Sequence, residues 1–309
     1  MLLIKYKLCY VKKNELSKNA LGENQLYWLE ENYRALLVGN YSKESIRGYV
    51  SELRLLFHYY HQKNVEDITQ QDITQYIIFV KTVHGVGLAK CRSVAHSCSF
   101  FFKKVIQKPF VLPSVLYPRK VFVLPAVMSQ QETKQLYGSL VDVRQKAVIS
   151  LLYGTGMRLN ELRNLQWQDV ECSNQRIKIR QGKGAKDRFT LLSPTILKDL
   201  EAYYRKCPSK QYVFESILLK GRPLHNRSLQ MVVNAAMVTA GFASGKYTAH
   251  TLRHSFATHL LDAGCDIHTI KILLGHADLR TTGIYLHLQQ SKRNNIVSPL
   301  EYVVDEQSY

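Results

Sequence analysis

Four short segments in the later part of the chain hold residue types that could act together on a phosphate ester. Thr155-Gly156-Met157-Arg158-Leu159-Asn160-Glu161-Leu162 sets an arginine after a tight glycine turn, where a helix begins. A guanidinium there, beside backbone N–H groups that the first helical turn leaves unpaired, suits a phosphate oxygen. Glu161 falls three residues on, within side-chain reach of Arg158. Taken alone, this pair is also what an ordinary exposed Arg–Glu ion pair looks like. Gly182-Lys183-Gly184-Ala185-Lys186-Asp187-Arg188 puts Lys183 between glycines at the tip of a hairpin. Glycine lets a backbone come close to a ligand, although a single loop lysine is more commonly just solvated. The spacing G-x-x-x-x-G-K-[ST] is absent, so no nucleoside triphosphate site is implied.

The third segment is His250-Thr251-Leu252-Arg253-His254-Ser255-Phe256-Ala257-Thr258-His259. His250 and Arg253 stand three apart, on one face of a helix. An imidazole can move a proton near neutral pH, and a guanidinium can hold two phosphate oxygens. His250 and His254 have the separation of an H-E-x-x-H zinc helix. Thr251 occupies the place of that motif's general base, so no metal is expected; a structural histidine is the larger rival. The fourth segment, Leu274-Gly275-His276, is followed by Tyr285 within Thr281-Thr282-Gly283-Ile284-Tyr285. Tyr285 is one of 19 tyrosines, and alone it reads as packing or surface.

The elements that must position these residues follow from periodicity. Leu26, Leu29, Tyr33, Leu36 and Leu37 recur at helical spacing. Ser42 then precedes an apolar stripe of Ile46, Tyr49, Val50, Leu53, Leu56, Phe57 and Tyr60. Thr69 and Asp72 form a cap before Ile73, Tyr76, Ile77 and Val80. Gly85-Val86-Gly87 breaks the chain ahead of a fourth helix from about Leu88 to Ile106. Four such helices make a small all-α domain over 1–107. Half of the eight prolines (Pro109, Pro113, Pro118 and Pro125) fall in 108–125, which therefore reads as an extended linker; its Arg119-Lys120 makes it basic. The region 126–290 opens on the capping box Ser129-Gln130-Gln131-Glu132. A helix then leads to the turn at Gly154-Thr155-Gly156, and another runs from about Met157 to Leu165. The alternating Arg176–Arg180 and the return from Phe189 to Leu192 form two strands. Ser193-Pro194 starts the next helix, and helices continue with breaks at Gly241, Gly264 and Gly275. The fold class expected is mainly α with a small antiparallel sheet.

Composition narrows the function class. The chain has 309 residues and is 46% hydrophobic, enough for real cores. It carries 42 Lys and Arg against 24 Asp and Glu, a net charge of +18 spread over both regions rather than held in a tail. A polyanionic partner is implied, nucleic acid before an anionic membrane. No apolar run is long enough to span a bilayer, and the lysine-interleaved first 13 residues lack the apolar core of a signal peptide. Six scattered cysteines without C-x-x-C spacing read as free thiols of a reducing cytosol.

In order, TGMRLNEL, GKGAKDR, HTLRHSFATHL and LGHADLRTTGIYLH resemble the segments of a tyrosine recombinase of the phage-integrase and Xer type. The resemblance covers the whole second region and, more loosely, the N-terminal helices. It implies that Tyr285 is the nucleophile and that Arg158, Arg253 and His276 hold the scissile phosphate. Lys183 would be the general acid at the leaving 5′ oxygen, His250 would assist proton transfer, and Glu161 would orient the groups around the phosphate. No metal and no cofactor are implied. A phenol with a pKa near ~10 needs a cationic site or a base to attack at neutral pH. Rigid N–H donors can stabilise the charge that gathers on the nonbridging oxygens. A phosphotyrosine keeps the energy of the broken bond, so joining needs no ATP.

The resemblance also implies a clamp of two domains around duplex DNA, with inverted half-sites as the target. Exchange would run through a Holliday junction in a homotetramer, with accessory DNA-bending or directionality proteins, in the cytoplasm at the nucleoid. The tail 291–309 would pack on a neighbouring subunit through Ile296, Val297, Leu300, Val303 and Val304, or fray. Integration or excision of a mobile element is the expected task. The alternatives are a type IB topoisomerase-like enzyme, which uses a similar residue set, and a non-catalytic DNA-binding regulator.

Overall fold

The computed structural model describes residues 21–111, 124–180, 187–276 and 278–287. The chain divides into two compact units, Met1–Phe122 and Val123–Tyr309.

Among the described residues the first unit is all helical. Its helices are α1 (Glu23–Val38), α2 (Lys43–Tyr59), α3 (Gln70–Thr82) and α4 (Leu88–Phe100), the last continued by a single π turn over Phe101–Val105. Local chemistry sets the starts. Ser42 Oγ accepts from the Ser45 N–H, and Thr69 and Asp72 close a reciprocal capping box. The apolar stripes meet in one core around Leu36, Leu53, Leu56, Phe57, Ile73 and Phe101.

Among the described residues the second unit is mostly helical with one small sheet. In order it contains α5 (Gln130–Ser139), α6 (Val143–Thr155), α7 (Leu159–Asn164), β1 (Val170–Glu171), β2 (Arg176–Ile179), β3 (Arg188–Leu191), α8 (Pro194–Lys206), α9 (Asn226–Thr239), α10 (Ala249–Asp262), α11 (Ile267–Leu274) and α12 (Leu279–Thr282). A 3-10 turn over Gly283–His287 follows. The strands run antiparallel in the order β1-β2-β3, and β1 is a two-residue strand that alternation does not announce. The core gathers Leu136, Val148, Leu151, Leu152, Leu162, Ile177, Phe214, Leu229 and Leu252. A smaller cluster joins Phe256, Ala257, Leu261, Ile270, Leu274 and Tyr285.

The register of β3 decides which of its side chains point inward. Thr190 pairs with Ile177 and Arg188 with Ile179. Arg188 and Thr190 therefore face the interior, while Phe189 and Leu191 face out. The exposed Phe189 ring is covered by the Arg176 guanidinium at 3.9 Å. Thr190 Oγ1 donates to the Thr155 carbonyl at 2.7 Å, tying the strand to the end of α6. The inner face of β3 thus delivers polar side chains to the place where α6 and α11 end and α7 begins.

Among the described residues no helix is long and apolar enough to cross a membrane.

Candidate active site

Two left-handed glycines shape the site. Gly156, at φ 65°, ends α6, and a Cβ there would lie 2.4 Å from Phe256 Cδ1. Gly275, at φ 63°, ends α11, and a Cβ there would lie 2.7 Å from Arg188 Cδ. Both positions need a residue without a side chain, for conformation and for space.

Past Gly156 the chain turns into α7 with Arg158 as its N-cap residue. Glu161 reaches back: its Oε2 accepts from the Arg158 N–H at 2.7 Å and its Oε1 from Arg158 Nη1 at 2.8 Å. The N–H of Arg158 is therefore not free for a ligand, contrary to the sequence expectation. Nor is the pair an ordinary surface one. The Glu161 side chain is 6% exposed, and Arg188 binds it bidentately, Nη1 to Oε1 at 2.8 Å and Nη2 to Oε2 at 2.7 Å. Arg188 Nε also donates to the Leu273 carbonyl at 2.8 Å. Arg253 Nη1 stands 4.0 Å from Glu161 Oε2. Burial pushes the Glu161 carboxyl up, but the hydrogen bonds and charge of Arg188, joined by Arg158, overcome this and hold it down at about 2.

Arg253 is 3% exposed. From α10 its Nη1 donates to the Gly156 carbonyl at 2.5 Å and its Nη2 to the Leu274 carbonyl at 2.7 Å. It thus bridges the C-terminal ends of α6 and α11, whose dipoles favour a cation. Desolvation, then the charge of Arg158, lowers its pKa to about 10, which still leaves it charged at neutral pH. Nη2 also lies 3.1 Å from His276 Nε2. A guanidinium can only donate, so Nε2 accepts and the His276 proton sits on Nδ1. Nδ1 in turn donates to the buried Thr282 Oγ1 at 3.0 Å. Burial and the neighbouring Arg253 hold His276 at about 4, neutral at physiological pH.

Tyr285 is 1% exposed in the small apolar cluster. Its Oη lies 3.0 Å from His254 Nδ1. Burial raises the phenol's pKa, while Arg253 and Arg158 pull it down, which puts both guanidinium groups within electrostatic range of the phenol. His254 is neutral, lowered to about 4 by desolvation and then by His250 and Arg253.

The structure thus brings together Arg158, Glu161, Arg253, His276 and Tyr285. His250 is solvent-exposed at the start of α10, so sharing a helix face with Arg253 does not give it the same surroundings. Lys183 lies in 181–186, outside the described residues. Sequence reasoning missed two participants. In the sequence Arg188 stands out only as the end of the hairpin segment; its inward register on β3 makes it the main partner of Glu161. The spacing of His254 from His250 suggests only a metal ligand, yet His254 touches the phenol.

The phage integrase family matches residues 126–292, and the phage integrase N-terminal SAM-like domain matches residues 28–111. The first match spans more than half of the chain, and the chain belongs to this family of tyrosine recombinases. The tyrosine recombinase XerC of Staphylococcus haemolyticus is 29% identical over 273 residues, 83% of this chain and 90% of that protein. XerH site-specific recombinase in a post-cleavage complex with a palindromic difH substrate has a TM-score of 0.67 at 23% identity, covering 97% of this chain and 94% of that one. A lambda integrase tetramer bound to a Holliday junction has a TM-score of 0.68 at 16% identity, covering 88% and 79%. At these identities the two structures show a shared fold.

Proposed function

We propose that this chain recombines DNA at specific sites by cleaving and rejoining strands through a covalent 3′-phosphotyrosine at Tyr285. The observation that carries this is Arg158 and Arg253, from separate stretches, acting on one buried phenol, with His276 from a third stretch held against Arg253. In the attack, the Tyr285 Oη–P bond forms and the P–O5′ bond breaks. Arg158 and Arg253 neutralise the nonbridging oxygens as charge gathers there. Arg253 is rigidly held by two backbone carbonyls, and Arg158 is steered by Glu161, so little reorganisation is needed when the transition state forms. Lys183 protonates the leaving 5′ oxygen, and His250 assists proton transfer from the exposed edge of α10. Side-chain cations supply the charge stabilisation in place of a metal, and the phosphotyrosine keeps the energy of the broken bond, so joining needs no ATP.

The partner is duplex DNA carrying inverted half-sites. The excess of +18 charges suits a phosphate backbone, as do the DNA complexes of the structures that share the fold. Residues 1–107 serve as a DNA-binding module, 108–125 as linker and 126–290 as the catalytic region, with 291–309 contacting a neighbouring subunit. Exchange proceeds through a Holliday junction in a tetramer, and integration or excision of a mobile element is the task. The test is incubation with nicked duplexes drawn from the DNA flanking the coding region. A denaturation-resistant protein–DNA adduct should form with the wild type and not with Tyr285→Phe. Supercoil relaxation at any sequence, without recombinant products, would assign the chain to topoisomerase chemistry instead.

A further inference from the structure

We propose that His254 is the base that holds the Tyr285 phenol and takes its proton as the phenol attacks phosphorus. The inference rests on the strand-transfer reading and deepens it by assigning the nucleophile's proton. Any base for this step must reach the phenolic oxygen, and a useful distance is about 2.6–3.2 Å. His254 Nδ1 is at 3.0 Å. His250 is exposed and makes no side-chain hydrogen bond among the described residues. His276 is engaged at both nitrogens, with Arg253 and with Thr282. His254 is therefore the imidazole whose ring nitrogen meets the phenol.

The ring is also in a state to accept. It is neutral, and with its proton on Nε2 the Nδ1 lone pair faces the hydroxyl. The charged or titratable groups around it are His250 and Arg253 on its own helix, Tyr285 on the 3-10 turn and His276 at the end of α11. The Arg253 guanidinium disfavours a further positive charge on the ring. A phosphodiester seated between Arg158 and Arg253 offsets that repulsion and raises the basicity of His254 at the moment it is needed. The step balances. The Oη–H bond breaks and its proton goes to Nδ1, and Oη bonds to phosphorus. The P–O5′ electron pair leaves on the 5′ oxygen, which is protonated by the acid assigned to Lys183. In the return reaction the 5′ hydroxyl attacks phosphorus and passes its proton back to the acid assigned to Lys183, the P–Oη bond breaks, and His254 returns its proton to the phenolate.

Single-turnover cleavage of the nicked duplex tests this with His254→Asn and His254→Ala. The Asn amide oxygen can still accept a hydrogen bond near the Nδ1 position but cannot take a proton. Both variants, confirmed folded by circular dichroism, should cleave about 10²-fold or more slowly. A more acidic phenol, 3,5-difluorotyrosine at position 285, should recover most of that loss in His254→Asn. Asn cleaving within about threefold of the wild type, on the same scale as that loss, would reduce His254 to a holder and overturn the proposal. So would a loss that the fluorinated phenol leaves unchanged. Absence of any adduct with the wild type would instead overturn the strand-transfer reading, and the base assignment with it.

Discussion

Replacing Arg188 with alanine is the sharpest test of how the site is held. Glu161 and Arg188 form a nearly dry, bidentate pair, both side chains under a tenth exposed. The displacement of the Glu161 pKa from 4.5 to about 2 corresponds to roughly 3 kcal/mol favouring the ionised form, at about 1.4 kcal/mol per tenfold change in proton affinity. The sign follows from a folded-state value below the unfolded one. The stabilisation is fully present above pH 4.5 and is lost as pH falls toward 2. Arg188→Ala leaves a buried carboxylate with Arg158 as its remaining close partner, so a cost of about 3–5 kcal/mol is expected. For a unit of this size that lowers the melting temperature by roughly 10 °C. Thermal unfolding of the full chain at pH 7, followed by circular dichroism, reads it. The double variant Glu161→Gln, Arg188→Met removes both charges and should recover part of the loss. A single variant within about 1 kcal/mol of the wild type, the scale of an exposed pair, would refute the reasoning. Strict additivity in the double variant would refute it too.

Other substitutions probe the turn, the bridge and the acid. Gly156→Ala forces a Cβ into the Phe256 ring at a backbone angle that side chains avoid; a loss of about 2 kcal/mol or more in denaturant unfolding is expected. Arg253→Lys cannot span the Gly156 and Leu274 carbonyls together, so strand cleavage should fall at least ~10²-fold while DNA retention in gel shifts changes little. Lys183→Ala should cleave poorly on ordinary DNA and recover on a substrate with a bridging 5′ sulfur, a better leaving group; no recovery would remove Lys183 as the acid.

Much of the architecture was legible because local chemistry carried it. Ser42, the Thr69–Asp72 box, the Ser129–Glu132 box and Ser193-Pro194 each mark a helix start where the structure has one. The breaks at Gly156, Gly264 and Gly275 fall where those glycines adopt positive φ. Strand β1 was not legible, since Val170–Glu171 is too short to alternate. The site was legible as four segments, because a few side-chain types in order specify a chemistry even when the fold is unknown. Its wiring was not. Arg188 enters the interior because Thr190 and Arg188 pair with the inward Ile177 and Ile179, while the more apolar Phe189 and Leu191 face out. Hydrophobicity alone would choose the opposite face. The contact between His254 and Tyr285 joins α10 to a turn 31 residues later, and no spacing rule reaches that far. Arg158 and Glu161, by contrast, were placed together by their three-residue separation. Only the burial of Glu161 showed that the pair is internal.

Tyr285, among these cations, is proposed to exchange one phosphodiester for a phosphotyrosine. Protease digestion of the trapped protein–DNA adduct, trimmed with nuclease and read by tandem mass spectrometry, tests it most directly. The account predicts a nucleotide 3′-phosphate on the peptide that contains Tyr285 and an unmodified phenol on every other tyrosine peptide. A nucleotide on another residue, or attachment through a 5′-phosphate, would contradict it.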